Sequence, residues 1–393
     1  MNISYSLGGH RMKVYLDNGA TSHPKPQNVY NAILNYMTKI GSNVGRGASS
    51  SSLMGNKIIY EAREALMEFF NFNKIENVIF TPNVTYSLNM LIKGSVKKGW
   101  HVITSVMDHN STLRSLHTLK ENNIIELDII GASQNGFISI EELKNKIKNN
   151  TKLIVLSHAS NVVGSIQPLE ELGRVCKEKN IYFIIDSAQS AGAIDVNFES
   201  LHCSALAFTG HKSLLGPQGI GGFLIDDEFN SECISIIEGG TGSLSSSVNQ
   251  PQFMPDKFES GTMNAPAIAG LLAGIKFINN EGLNTIKEHE EYLANKFIDG
   301  LLNMKDIIIY GQQNIENRTS TISLNSKKID NSELGFILDS EYGIVTRTGL
   351  HCAPLAHQAV GSYPNGSIRF SFGYFNDLKD VNYTLDSINK VLK

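Results

Sequence analysis

Two charged residues, Asp186 and Lys212, carry the first chemical signal in this chain. Asp186 closes the apolar run Phe183–Ile185, and Lys212 follows a second apolar run, Ala205–Phe208, through Thr209, Gly210 and His211. Both runs read as buried strands of a parallel sheet. Such strands would deliver both residues to the carboxyl edge, where open α/β folds bind their ligands. One cofactor uses the two groups together: pyridoxal 5'-phosphate takes a lysine as a Schiff base and an acid to hold its ring nitrogen protonated. The same residues also read as a surface lysine beyond a core strand and an acid capping the next helix.

More polar groups stand at the ends of other apolar runs. These are Asp108-His109, Ser157-His158 with Asn161, then Gln189 after Asp186, and Thr209 with His211 before Lys212. In a parallel sheet they share one rim. A lone histidine at a strand end is more often structural than catalytic, but a series of polar strand ends in one sheet favours a site. Competing motifs fail on spacing. Gly210-His211-Lys212-Ser213 lacks the G-x-x-x-x-G-K-[ST] of a P-loop, and the glycines from Gly216 to Gly222 precede a strand instead of following one. His351, Cys352 and His357 have no second cluster to complete a tetrahedral metal set, so no metal is expected.

The elements that must position these residues alternate. Strands are expected at 78–80, 101–106, 124–130, 152–157, 181–186, 204–209 and 222–225. Helical spacing occurs at 111–121, 138–149 and 168–179, which implies crossover connections. The expected fold is therefore α/β: a large domain, residues 13–270, with a mostly parallel seven-stranded sheet flanked by helices. After Gly261 the pattern changes to long helices and short strands, a smaller α+β C-terminal domain over 271–393. Residues 1–12 read as an N-terminal arm, and Lys13–Leu16 as a short strand. Gly41–Ser52 reads as a ligand-facing glycine and serine loop carrying Arg46, before a helix at 58–70. Thr85, at a turn into a helix starting near Tyr86, could offer its hydroxyl to a phosphate or simply cap the helix.

Composition sets the outer bounds. The chain has 393 residues, 41% hydrophobic and 18% charged, which suits a folded globular protein. Net charge is −4 with no block of lysine and arginine, so neither nucleic acid nor an anionic membrane is an expected partner. No apolar run approaches the roughly 20 residues that span a bilayer. The N-terminus lacks the apolar stretch of a signal peptide. Four cysteines lie far apart without C-x-x-C spacing, which suits a reducing, cytoplasmic setting.

Taken in order, LDNGATSHP, DHNSTL, SHASNVVGSIQP, IDSAQSAG, FTGHKSLLGPQGIG, FESGTMN and RTGLHCAP resemble the motifs of class V, fold-type I pyridoxal-phosphate enzymes. Within them, the series is most similar to the cysteine desulfurase and selenocysteine lyase group. The resemblance implies a role for each matched position. Lys212 would form the Schiff base, Asp186 would pair with the ring nitrogen, Gln189 would bond the phenolic oxygen, and His109 would stack on the ring and act in catalysis. Asn161 would lie beside cofactor and substrate. Thr85, Thr209 and His211 would hold the phosphate, with Thr262 reaching it from the second subunit of a homodimer with shared active sites. Arg369 would clamp the substrate carboxylate, a task suited to a guanidinium fork, with Arg347 nearby.

Cys352 selects the reaction. A lone cysteine is usually a small buried hydrophobe, but this one stands in a glycine- and proline-bearing segment between Arg347 and Arg369. The implied activity turns L-cysteine, or L-selenocysteine, into alanine, with sulfur held on Cys352 as a persulfide for a sulfur-acceptor protein. Its use would be iron–sulfur cluster assembly. The cysteine loop is compact, as in the group that depends on a dedicated acceptor. Three departures stand out: Gly45 replaces a frequent histidine before Arg46, Met263 a frequent proline, and Tyr86 a frequent acid. A class V aminotransferase or β-lyase in which Cys352 is idle, and an inactive sulfur-relay scaffold, stay open as alternatives.

Overall fold

The protein is described by a computed structural model over residues 14–44 and 49–393. The expected N-terminal arm and Arg46 lie outside these residues. Thirteen strands are present among the described residues: β1 (Val14–Tyr15), β2 (Val78–Thr81), β3 (Trp100–Ser105), β4 (Ile125–Ile130), β5 (Thr151–Ser157), β6 (Tyr182–Asp186), β7 (Ala205–Thr209), β8 (Gly221–Ile225), β9 (Ile307–Tyr310), β10 (Thr321–Ser326), β11 (Ile344–Val345), β12 (Arg347–Gly349) and β13 (Ser367–Ser371).

Seven of them form one sheet in the order β2-β8-β7-β6-β5-β3-β4. All neighbours are parallel except the two pairs that β8 makes. β6, β7 and β8 are apolar along nearly their whole length and almost wholly buried, as strands covered on both faces must be. Alternation divides them between two cores. Ile154, Leu156, Phe183 and Ile185 pack on one face, and Leu153, Val155 and Ile184 on the other. Gly222 admits β8 between its neighbours, since a Cβ there would sit 2.2 Å from the Ile79 carbonyl oxygen. Ser157 is level with Asp186, so the ends of β5 and β6 lie side by side, while β7, whose Ala207 is level with Asp186, runs two residues further to Thr209.

A second, antiparallel sheet has the order β12-β13-β10-β9. It packs with helices Leu283–Leu302, Asn331–Tyr342 and Leu378–Val391 around Phe297, Ile322, Leu324 and Phe370. β1 pairs in parallel with β11, and Val14 and Leu16 are buried in this C-terminal core. The turn after β1 thereby hangs from the C-terminal layer while facing the large sheet.

Three local expectations change. The helix expected at 58–70 begins at Ser50, capped by the Ser49 hydroxyl accepting from the Ser52 amide, so the serines at 50–52 form its first turn. Their composition reads as a loop, but serine at a helix start satisfies amides that would otherwise lack acceptors. Residues 344–347, whose apolar spacing suggests one of the short strands of the C-terminal domain, are divided between two strands in different sheets, β11 and β12. Pro354 opens a helix, Pro354–Val360, where sequence suggested loop; proline is tolerated in a first helical turn because its missing N–H is not needed there.

Helix Leu283–Leu302 buries a carboxyl, Glu290, against the Ser320 hydroxyl at 3.2 Å. Desolvation pushes its pKa up from 4.5 to about 8. Between those values the folded protein keeps a proton that the unfolded chain has lost, so stability falls as pH rises through this window. Glu290→Gln is expected to gain stability over the parent progressively from pH 5 to pH 9, reaching a few kcal/mol, roughly 1.4 per pKa unit. Urea midpoints at the two pH values test this, and an equal shift at both would refute it.

Candidate active site

The polar strand ends converge on one rim. β6 delivers Asp186, buried, its Oδ1 accepting from the Ala188 amide at 2.9 Å. Burial pushes this carboxyl up to about 6, opposed by that hydrogen bond and by the positive charge of Lys212. β7 delivers Thr209 and, two residues on, His211 and Lys212. Desolvation lowers the Lys212 amine to about 8, opposed by Asp186 and assisted by Arg369 and Arg347. Each group thus moves toward its neutral form, and each holds the other partly charged.

His109 follows β3 and caps helix Asn110–Glu121, its Nδ1 accepting from the Ser111 amide at 3.1 Å. Burial, then Lys212 and the nearby arginines, lower it to about 4. The ring is therefore neutral near pH 7 and fixed in orientation. Asp108, beside it, is structural. Its carboxylate accepts from the Ser105 amide (2.7 Å), the Thr104 and Ser105 hydroxyls (2.8 Å each) and the Ser157 amide (2.5 Å), tying the ends of β3 and β5 together.

Asn161, beyond β5, links three parts of the site. Its carbonyl accepts from Arg369 at 2.9 Å, and its amide donates to the His351 carbonyl at 2.7 Å. Arg369, from β13, is 2% exposed and pairs with Asp17 at 2.9 Å, leaving its Nε without a partner among the described residues. Arg347 faces Arg369 across the β12–β13 register and is exposed. Cys352 follows β12 and is exposed, whereas Cys176, Cys203 and Cys233 are buried. The Cys352 carbonyl accepts from the Asn110 amide at 2.9 Å, which sets the cysteine next to His109. His351 and Cys352 have φ of 47° and 58°, left-handed values uncommon outside glycine. This turn points a small, strained loop at the rim.

Other predicted residues fall in three places. Gln189 is on the rim, its amide donating to the Gly19 carbonyl at 3.0 Å with a second N–H left over. Thr85 is exposed, and the capping job goes to Asn83, whose side chain accepts from the Thr85 and Tyr86 amides. Thr262 is exposed and lines a groove of about 410 Å³ with Pro82, Tyr86 and Met263; no hydrogen bond or ion pair joins it to Lys212 or Arg369 among the described residues.

Sequence reading missed Asp17, the ion-pair partner of Arg369, and Lys25. The Lys25 amine donates to Ser22 Oγ and to the His211 carbonyl, both at 2.6 Å, and burial lowers it to about 7. Sequence shows a turn at Asp17-Asn18-Gly19 and a helix start at Pro24-Lys25-Pro26, but not which distant residues these segments meet.

Pyridoxal phosphate fits this donor set. Thr209 Oγ1 and His211 Nδ1 are buried without a hydrogen-bond partner among the described residues, as acceptor-rich phosphate oxygens would require. A cationic ring nitrogen would offset the desolvation that raises the buried Asp186 carboxyl, and a lysine with lowered pKa suits Schiff-base formation.

Comparisons with known proteins agree on the kind of molecule. A sequence model of the family "Aminotransferase class-V" matches residues 14–384. A probable cysteine desulfurase of Pyrococcus abyssi is 32% identical, over 97% of this chain and 94% of that protein. A cysteine desulfurase of Haloferax volcanii is 30% identical, over 96% and 88%. The apo structure of a cysteine desulfurase from Thermococcus onnurineus superposes with a TM-score of 0.91 at 32% identity, covering 96% of this chain and 94% of that one.

Proposed function

The chain belongs to the aminotransferase class-V family, in its cysteine desulfurase group, and from that premise we propose how its residues divide the work. It is a pyridoxal-phosphate-dependent cysteine desulfurase, converting L-cysteine to L-alanine. The observation that carries the sulfur step is a single exposed cysteine, Cys352, whose backbone is tied to the loop of His109 and, through His351, to Asn161.

Thr209, His211 and Thr85 hold the phosphate, Asp186 the ring nitrogen, Gln189 the phenolic oxygen, and His109 covers the ring. The bound cofactor supplies an electron sink conjugated to the substrate amine. Arg369 orients the substrate carboxylate with donors it has free, and Asn161 fixes Arg369. Lys212 takes the α-proton with an amine whose pKa lies near working pH. Cys352 Sγ then forms an S–S bond to the substrate sulfur as the substrate C–S bond breaks. The electron pair stays on carbon, and in net terms the Cys352 thiol proton ends on the alanine methyl. Sulfur remains as a persulfide for an acceptor.

The supporting case for a homodimer is the exposed apolar side chains on two helical segments, with Leu34 and Met37 on one and Leu53 and Tyr60 on the other. In that dimer Thr262 serves the partner's phosphate. The division into units at 13–270 and 271–393, action in the cytoplasm, and sulfur delivery for iron–sulfur clusters belong to the same proposal. Among the described residues no helix is long and apolar enough to cross a membrane.

Adding L-cysteine to the purified protein with cofactor is expected to give alanine and, with a reductant, sulfide in equal amounts. Transamination of a keto acid without sulfur release would overturn the assignment.

A further inference from the structure

Four consecutive carbonyls of the loop after β5 are held from the C-terminal layer. Asn161 O accepts from Arg369 at 2.9 Å, Val162 O from Ser323 Oγ at 2.6 Å, Val163 O from Arg318 at 3.1 Å, and Gly164 O from the Thr319 amide at 2.8 Å. The strip continues as a bridge between Ser165 and Arg318, with the Ile166 amide donating to Asn317 O at 2.8 Å. Close approach is built in at Gly164, φ 76°, where a Cβ would lie 2.8 Å from Thr321 O.

Arg318 is the unusual member. It is 1% exposed and forms no ion pair among the described residues, and burial lowers its pKa to about 10. Its guanidinium donates only to carbonyls: Val163 O, Thr321 O at 2.6 Å, and Gln312 O. Burying an unpaired cation is costly, and packing alone would be served by an apolar side chain of similar volume. What the planar fork adds is fixed directions to three segments at once.

We propose that Arg318 is a positioning residue for the substrate site. It clamps the Asn161–Gly164 loop to the C-terminal sheet, and so sets where Arg369 and the His351-Cys352 turn stand. The inference rests on the assignment of Arg369 and Cys352 given above. Asp186 ends β6, and His211 and Lys212 follow β7, strands that the clamp does not touch, so cofactor attachment is expected to survive its loss.

The test compares the parent, Arg318→Met, Arg318→Lys and Ser323→Ala, each checked for cofactor absorbance. In Arg318→Met, KM for L-cysteine is expected to rise about tenfold and kcat to fall, the scale of a small misplacement at a reacting centre. Arg318→Lys should recover part of both. In the cofactor-free protein, amide exchange in 161–166 and 350–353 should quicken in Arg318→Met while β6 and β7 stay protected. Unchanged KM with unchanged exchange overturns the proposal. Exchange that quickens equally across the large sheet, or loss of cofactor absorbance, also overturns it, by showing a merely structural role. Should Arg318→Met not fold, unaltered KM and loop exchange in both Arg318→Lys and Ser323→Ala overturn it. Absence of alanine from the parent would instead defeat the functional assignment, leaving the exchange result to judge the clamp.

Discussion

Lys212→Ala is expected to lower alanine formation from L-cysteine by roughly 10³-fold or more, the scale of losing both a covalent anchor and a general base. The amine sits at about pKa 8 because desolvation outweighs the attraction of Asp186. A useful fraction is therefore unprotonated near neutrality, which an exposed lysine would not provide. Removing it has a second consequence. Asp186 loses the nearest charge that holds its pKa down, so its carboxyl rises further above about 6 and its grip on a cationic ring nitrogen weakens. Lys212→Arg keeps the positive charge but offers no neutral amine, and is expected to be as inactive as the alanine variant. Alanine formation and cofactor retained after dialysis measure the two effects separately. Turnover within tenfold of the parent would move the proton transfer elsewhere, with His109, neutral and capped in place, the next candidate.

The legible and illegible parts of this site differ in a physical way. Asp186, Thr209 and Lys212 could be found because an apolar run that ends in a polar group at a parallel sheet's carboxyl edge is a local pattern. So could the seven strands, whose buried faces impose continuous apolar sequence. The antiparallel course of β8 was not legible, since a continuous apolar run reads the same in either direction and its partner β2 lies far away in the sequence. Arg318 could not be assigned to the site, because its partners at 163 and 312 come from separate segments. Asp17 begins the turn Asp17-Asn18-Gly19, and the pairing of β1 with β11 and a bridge from Asp17 to Ser371 bring that turn to Arg369. The serines at 50–52 failed for a different reason: the same residue type serves loops and helix starts, and the Ser49 cap decides between them.

Cys352→Ser is expected to abolish alanine formation and persulfide, by roughly 10³-fold or more as for loss of a nucleophile, while cofactor absorbance is unchanged. The substitution replaces sulfur with oxygen at an exposed position, so the loop has no packing to lose. Its hydrogen bond to the Asn110 amide is made by the backbone and survives. No other cysteine can take over. Cys176 and Cys233 are buried and their thiols pushed up to about 12, and Cys203 is pushed well above its ordinary value. Deep thiols of this kind are poor nucleophiles and poorly accessible. Brief alkylation of the native protein should therefore label Cys352 alone and inactivate in step with labelling, as mass spectrometry of the peptides would show. Persistent alanine formation in Cys352→Ser, with sulfide released directly, would mean that the C–S bond breaks without attack by this residue. In that event the exposed thiol on the strained His351-Cys352 turn would need another explanation, and Arg369 with Lys212 would remain as the whole of the substrate chemistry.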